Sequence, residues 1–135
     1  KVNWEKSLEL NPHLIQAYMN LSRAYLKTKN YPKVIYYNQK IIDYEPDNLN
    51  AYINLGNTQL LLGKLDSAKA TYETALLKHP EVAGIHKNLG IIYFQKNKNM
   101  SKAKSHFQKY LRLSPNQPDA AQIQSMIQSI ENGKF

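Results

Sequence analysis

The sequence predicts an all-α protein in which antiparallel helix pairs repeat along the chain. Three observations lead to this prediction: prolines recur every 34 residues, side chains of similar size recur with the same period, and apolar positions between them follow helical spacing. A fixed period of this length is typical of an α-solenoid, in which each helix pair packs on its neighbours.

The repeat is visible in several registers at once. Pro12, Pro46 and Pro80 are 34 residues apart, and Pro115 follows after 35. Three similar tripeptides keep the same period, namely Asn20-Leu21-Ser22, Asn54-Leu55-Gly56 and Asn88-Leu89-Gly90. In the second half of each repeat, Val34, Ala68 and Ala103 correspond, as do Asn38, Tyr72 and Phe107. We place the one extra residue of the last step in a turn, because turns tolerate insertions better than helix interiors do.

Helical spacing divides each repeat into two helices of about 14 residues. The first helices are predicted at 15–28, 49–62 and 83–96, and the second helices at 31–44, 65–78 and 100–113. A last helix is predicted over 118–131. Its expected core-facing residues are Ala121, Ile123, Ile127 and Ile130, and its other side is polar, as the end of an array requires.

These residues resemble the tetratricopeptide repeat, whose pattern is a large aromatic, Leu-Gly, Tyr, a small residue, an aromatic and a closing Pro. The second repeat matches this pattern at Tyr52, Leu55, Gly56, Ala68, Tyr72, Ala75 and Pro80. The first repeat departs from it at Ser22, Val34, Asn38 and Ile41.

The resemblance implies a right-handed α-solenoid that forms a single domain over 1–135. Its expected parts are a partial repeat helix at 1–14, three full repeats at 15–48, 49–82 and 83–117, and a capping helix and tail at 118–135. Trp4 would be a core aromatic of the partial repeat. Since the chain begins at Lys1 without a methionine, we expect it to be a piece of a longer protein.

The resemblance also implies that the first helices line a concave groove in which a peptide binds. The groove positions carried over to this sequence are Asn20, Arg23, Lys27, Asn50, Asn54, Asn57, Lys87, Asn88, Ile91 and Phe94. Asn20, Asn54 and Asn88 are the most specific of these, because helix interiors disfavour Asn and a carboxamide can pair with both N–H and C=O of an extended peptide. The alternatives are asparagines that bond within the array or that were simply inherited by duplication.

The composition favours binding of acidic partners and gives no indication of catalysis. The net charge is +8, which suits acidic peptides, nucleic acid or anionic membranes, although lysines also serve solubility. The absence of cysteine excludes disulfides and thiolate catalysis, and His13, His79, His86 and His106 show no spacing for a metal site or a catalytic triad. With no glycine-rich phosphate loop either, we expect no enzyme, no cofactor and no metal.

We therefore predict a protein-interaction module that binds an extended peptide, with acidic peptides favoured. Family members that clamp acidic chaperone tails carry a fixed set of basic residues and asparagines. Here Met19, Arg23, Gly84 and Asn88 replace four members of that set, so the sequence does not match this specialisation. Self-association and a substrate-recruiting arm of a larger protein are the alternatives. RNA binding is less favoured, since the Leu-Gly, Ala and Pro pattern matches the protein-binding family and few groove positions are basic.

Overall fold

The computed structural model describes residues 12–96 and 98–134 of the chain. In this described part the regular structure consists of seven α-helices and no β-strand, which confirms the predicted all-α class. The helices are α1 Pro12–Lys27, α2 Tyr31–Tyr44, α3 Leu49–Leu61, α4 Leu65–Lys78, α5 Ala83–Gln95, α6 Met100–Leu113 and α7 Ala120–Glu131. None of these described helices is long and apolar enough to cross a membrane.

The chain divides into two compact units, Lys1–Lys78 and His79–Phe135. In the described part of the first unit, α1 packs against α2, α2 against α3, and α3 against α4. In the second unit, α5 packs against α6, and α6 against α7.

Most helix boundaries agree with the sequence prediction within two residues. The exception is α1, which begins at Pro12 instead of residue 15, because proline is accepted in the first turn of a helix. Residues 12–14, which we had assigned to an earlier repeat, therefore belong to α1. The rest of that predicted segment, including Trp4, lies outside the described residues.

The turn within each helix pair contains one residue in the left-handed region. It is Gly63 in the second pair, with φ of 75°, while Lys29 and Lys98 take this place in the other two, with φ of 60° and 53°. Glycine adopts this conformation without the steric cost that a Cβ brings. The repeat therefore keeps its turn geometry even where its sequence changes.

The last helix has the expected polarity with one correction. Ile123 and Ile127 are buried, and Ile130 is half-buried. Ala121, which we expected to face the core, is exposed. The helix begins at Ala120 rather than at Pro118, because Pro118 and Asp119 lie in the preceding turn.

Candidate functional site

The first unit contains a cavity of about 360 Å³ between α1 and α3. Its floor is formed by the buried side chains of α2, which are Val34, Asn38 and Ile41. We call this space the first-unit cavity. The other residues that line it are Met19, Ser22, Arg23 and Leu26 of α1, Asn48 before α3, and Asn50, Ala51, Asn54, Asn57, Thr58 and Leu61 of α3.

The first-unit cavity brings together four of the predicted groove residues. Arg23 of α1 and Asn50, Asn54 and Asn57 of α3 all line it, and all four are exposed. They are exposed because α1 and α3 turn their other faces, with buried residues such as Leu55, toward their helix partners. A polar group that enters the cavity can thus meet the guanidinium of Arg23 and the carboxamides of these three asparagines.

Two predicted groove residues of the first unit lie outside that lining. Asn20 and Lys27 are exposed on α1, and the Asn20 Oδ1 accepts a hydrogen bond of 3.2 Å from Gln16 Nε2. The Asn57 carboxamide is also engaged, because its Oδ1 accepts a hydrogen bond from the Tyr72 hydroxyl. Asn54 is therefore the clearest candidate for contacting a ligand.

At its floor, the first-unit cavity carries a buried polar pair. Asn38 Nδ2 donates to Ser22 Oγ at 2.7 Å and to the Val34 carbonyl at 2.9 Å. Asn38 is 1% exposed and Ser22 is 4% exposed, so the two side chains satisfy each other within the packed interior.

The same two positions hold a different pair in the later repeats. A Cβ built on Gly56 would lie 2.5 Å from the Tyr72 ring, and one built on Gly90 would lie 2.6 Å from the Phe107 ring. Each ring thus fills the space directly over a glycine. In the first repeat, Ser22 replaces the glycine and Asn38 replaces the ring, and the hydrogen bond between them takes the place of the ring packing.

In the second unit, Lys87 and Asn88 line a separate surface pocket with Ala83, Gly84, Tyr110, Ser114 and Gln117. Lys87 is held there by an ion pair of 2.5 Å between its Nζ and Asp119 Oδ2. The hydroxyl of Tyr110 donates to the other carboxylate oxygen, Asp119 Oδ1, at 2.6 Å. The positive charge of Lys87 is therefore largely neutralised within its own unit.

Contacts within this cluster shift the pKa values of Asp119 and Tyr110. The Lys87 ammonium, followed by the Tyr110 hydroxyl, lowers the pKa of Asp119 below its ordinary value. Burial, and then the hydrogen bond to Asp119, raises the pKa of Tyr110 to about 12. At neutral pH the cluster thus consists of an ammonium, a carboxylate and a neutral phenol.

The remaining predicted groove residues of the second unit, Ile91 and Phe94, are half-buried on α5. His86 is buried on the same helix, where its Nε2 lies 2.8 Å from the Pro80 carbonyl and its Nδ1 lies 2.9 Å from His106 Nδ1. Both ring nitrogens of His86 thus contact protein atoms. In the described part of the chain, no three His, Asp or Glu side chains form a group that could hold a metal ion.

Sequence reasoning missed the partners of Lys87 and the consequence of Asn38. The bond of Lys87 to Asp119 joins residues that no periodicity links, so the sequence carried no signal for it. Ser22 and Asn38 were recognised as departures from the repeat pattern. They stand 34 residues before Gly56 and Tyr72, which contact each other, and this correspondence could have indicated that Ser22 and Asn38 also contact each other.

Comparison with known proteins points to one family. The sequence model described as tetratricopeptide repeat matches residues 53–118. The general transcriptional corepressor ssn6 of Schizosaccharomyces pombe is 29% identical over 115 residues, which are 84% of this chain and 10% of that protein. The chain thus spans about a tenth of this relative's length.

Two solved structures share the fold. One is the type III secretion chaperone SycD of Yersinia enterocolitica in complex with a peptide of the translocator YopD, with a TM-score of 0.78, 18% identity, and coverage of 93% of this chain and 97% of SycD. The other is the first tetratricopeptide-repeat domain of Spaghetti (RPAP3) bound to the Hsp90 peptide SRMEEVD, with a TM-score of 0.75, 20% identity, and coverage of 88% and 91%.

Proposed function

We propose that this chain, whose residues 53–118 match the tetratricopeptide-repeat model, acts as a protein-interaction module that holds an extended peptide segment of another protein. The two similar structures described above each contain a bound peptide of another protein. The likeness to ssn6 covers only a tenth of that protein, so the proposal concerns this module alone. The division into repeats at 15–48, 49–82 and 83–117 is part of the same proposal.

The observation that carries the proposal is the set of exposed carboxamides at the first-unit cavity. Asn50, Asn54 and Asn57 stand on α3 at spacings of three and four, which place them on one side of a helix. Because a carboxamide both donates and accepts, Asn54 can pair with the backbone of an extended guest without reading its side chains. In the second unit, we assign the same role to Asn88.

Charge supports a preference for acidic segments, as the second part of the proposal. The chain has a net charge of +8, and Arg23 presents its guanidinium at the first-unit cavity. A guanidinium can bind a carboxylate through two parallel hydrogen bonds. Lys87 contributes less than the sequence suggested, because Asp119 already pairs with it.

The experiment is a selection of binders from a random peptide library displayed against the chain, followed by affinity measurements on purified variants. We expect Asn54→Ala and Asn88→Ala each to weaken a selected peptide by about fivefold, since a lost hydrogen bond costs about 1 kcal/mol. Gln108→Ala is the matched control, because Gln108 is an exposed carboxamide on α6 outside the proposed site. The proposal fails if no peptide is selected, or if both asparagine variants bind like the control.

A further inference from the structure

We propose that Asp119 is a displaceable occupant of a carboxylate-binding site in the second unit, an inference that rests on the proposed function. A carboxylate of the bound peptide would replace that of Asp119 at Lys87 and Tyr110. The released Asp119 side chain would then cap the N-terminus of α7. We call the space of about 390 Å³ beside Lys87 and Tyr110, which is the surface pocket described above, the second-unit pocket.

Two donors from different helices converge on the Asp119 carboxylate. Lys87 Nζ of α5 lies 2.5 Å from Asp119 Oδ2, and the Tyr110 hydroxyl of α6 donates to Oδ1 at 2.6 Å. Both contacts favour the ionised carboxylate, and they lower the pKa of Asp119. The site therefore already binds a carboxylate, and this occupant identifies the chemical class of ligand that the two donors accept.

The same two donors are accessible from the second-unit pocket. Lys87 and Tyr110 both line it, and the Lys87 side chain is 35% exposed. The other polar side chains of the lining, Asn88, Ser114 and Gln117, all carry hydrogen-bond donors. Among the described residues, no Asp or Glu lines this pocket. An incoming carboxylate therefore meets donors, and the negative charge already at the site is that of Asp119.

Lys87 and Tyr110 can serve only one carboxylate at a time. The Tyr110 hydroxyl has a single proton to donate, and one ammonium balances one negative charge. Burial, and then the bond to Asp119, raises the pKa of Tyr110 to about 12, so the hydroxyl is a donor at neutral pH. Binding of a guest carboxylate therefore requires that the Asp119 carboxylate leave, which makes Asp119 a competitor of acidic peptides.

The Asp119 carboxylate has a second place to bind, because Asp119 is the N-cap residue of α7. Asp is a preferred N-cap residue, since its side chain accepts from backbone N–H groups of the first turn. Asn48 and Asn99 cap α3 and α6 in this way, each with a hydrogen bond of 3.1 Å. The Asp119 side chain makes no such bond and is bound to Lys87 and Tyr110 instead.

The exchange needs only a local change in the backbone. The ψ angle of Asp119 is 8°, whereas that of the capping Asn48 is 96°. Helix α7 keeps its other attachments to α6, since Ile123 and Ile127 are buried and Lys104 of α6 forms an ion pair of 3.1 Å with Glu131. Release of Asp119 therefore moves one turn and leaves the last helix packed.

The experiment titrates the intact chain with amidated acetyl-GSEESG and with its counterpart acetyl-GSQQSG, while amide shifts are followed by NMR. We expect Asp119→Asn to bind the Glu peptide about fivefold more tightly than the wild type does, the size expected when a competing, partly exposed ion pair is removed. The affinity for the Gln peptide should stay unchanged. Acetyl-GSGSG with a free carboxyl end distinguishes a terminal carboxylate from a side chain, and a gain for either carboxylate peptide supports the proposal.

Glu131→Gln is the matched control, because it changes the net charge equally and breaks the ion pair at the opposite end of α7. It should leave the affinity for all three peptides unchanged. If Asp119→Asn binds both carboxylate peptides no more tightly than Glu131→Gln does, the proposal is overturned. Absence of binding to Asp119→Asn has the same consequence.

The wild-type chain supplies a test that does not depend on how a variant folds. Saturation with the Glu peptide should shift the backbone amides of Lys87 and Gln122, because the Gln122 N–H stands three residues after the cap and would gain the Asp119 carboxylate as its acceptor. The Gln peptide should leave the Gln122 amide unshifted. If the Glu peptide also leaves it unshifted, Asp119 does not move to the cap and the proposed exchange is wrong.

The two proposals can fail separately. If Asn54→Ala weakens selected peptides but Asp119→Asn has no effect on the carboxylate probes, the displaceable occupant is wrong and the backbone-binding site stands. If Asp119→Asn tightens a carboxylate probe but neither Asn54→Ala nor Asn88→Ala weakens selected peptides, the carboxamide site is wrong and the carboxylate site stands.

Discussion

The close approach of Phe107 to Gly90 predicts that Gly90→Ala destabilises the protein although alanine is the better helix former. The added Cβ would lie 2.6 Å from two ring carbons of Phe107. Phe107 is completely buried, so its ring has no free space into which it could move. Either the ring or the backbone of α5 must shift to relieve the overlap.

Two opposing effects set the size of the change. Overfilling a packed core costs about 1–3 kcal/mol, and replacing a helical glycine by alanine returns about 1 kcal/mol. We therefore expect Gly90→Ala to lower the free energy of unfolding by about 1 kcal/mol. Gly56→Ala should behave alike, because its Cβ would meet the equally buried Tyr72 ring at 2.5 Å.

Gly84→Ala is the matched control on the same helix as Gly90. No atom lies within 4 Å of a Cβ built on Gly84, so only the propensity gain applies there, and stability should rise by up to about 1 kcal/mol. Urea denaturation of the two variants measures both values under identical conditions. If Gly90→Ala is as stable as Gly84→Ala, the Phe107 ring does not require a glycine at position 90. The interpretation of Ser22 and Asn38 as replacements for the glycine and the ring would then also be wrong.

Two further predictions concern polar groups in the interior. Burial lowers the pKa of His86, which lies beside His106. The neutral ring therefore contributes its full stability above the unfolded pKa of about 6.5, and this contribution is lost as the pH falls from there toward the lowered folded pKa. The free energy of unfolding should fall by at most about 1.4 kcal/mol per pH unit for this one proton. Denaturation at about pH 7.5 and 5.5 should show a smaller difference for His86→Tyr, and an unchanged difference would contradict this. Ser22→Ala removes the acceptor of Asn38 Nδ2 and should cost about 1 kcal/mol in urea denaturation, whereas Ser105→Ala, at an exposed helical serine, should cost nothing; equal effects would show that the buried bond does not stabilise the fold.

Much of the fold could be predicted from the sequence, because the repeat supplies the same information several times. The positions of Leu55 and Leu89, and of Ala68 and Ala103, fix the faces that helices turn toward each other, and all four residues are buried. Where one repeat gives an ambiguous helix end, the equivalent positions of the other repeats indicate where the helix ends. The error at the start of α1 occurs where only one copy of the pattern is available, next to residues outside the description.

The candidate site could be predicted only in part, because its properties depend on which side chains bind each other. Periodicity put Arg23 and Asn54 on helices of the same kind, and both line the first-unit cavity. It could not reveal that Asp119 neutralises Lys87, since this bond crosses from α5 to the turn before α7. The groove role of the predicted residues therefore stays a prediction that the peptide experiment tests.

A repeat array can give up a core aromatic at one place because its energetics are local. Within the first unit, the helix that carries Asn38, α2, packs against α1 and α3, so the effect of the missing ring is expected to be local to these helices. The Ser22–Asn38 bond limits the cost further, since no buried polar side chain in the described residues lacks a partner. Duplication thus supplies copies that keep the ring packing of Tyr72 and Phe107, while the first copy replaces it with the buried hydrogen bond between Asn38 and Ser22.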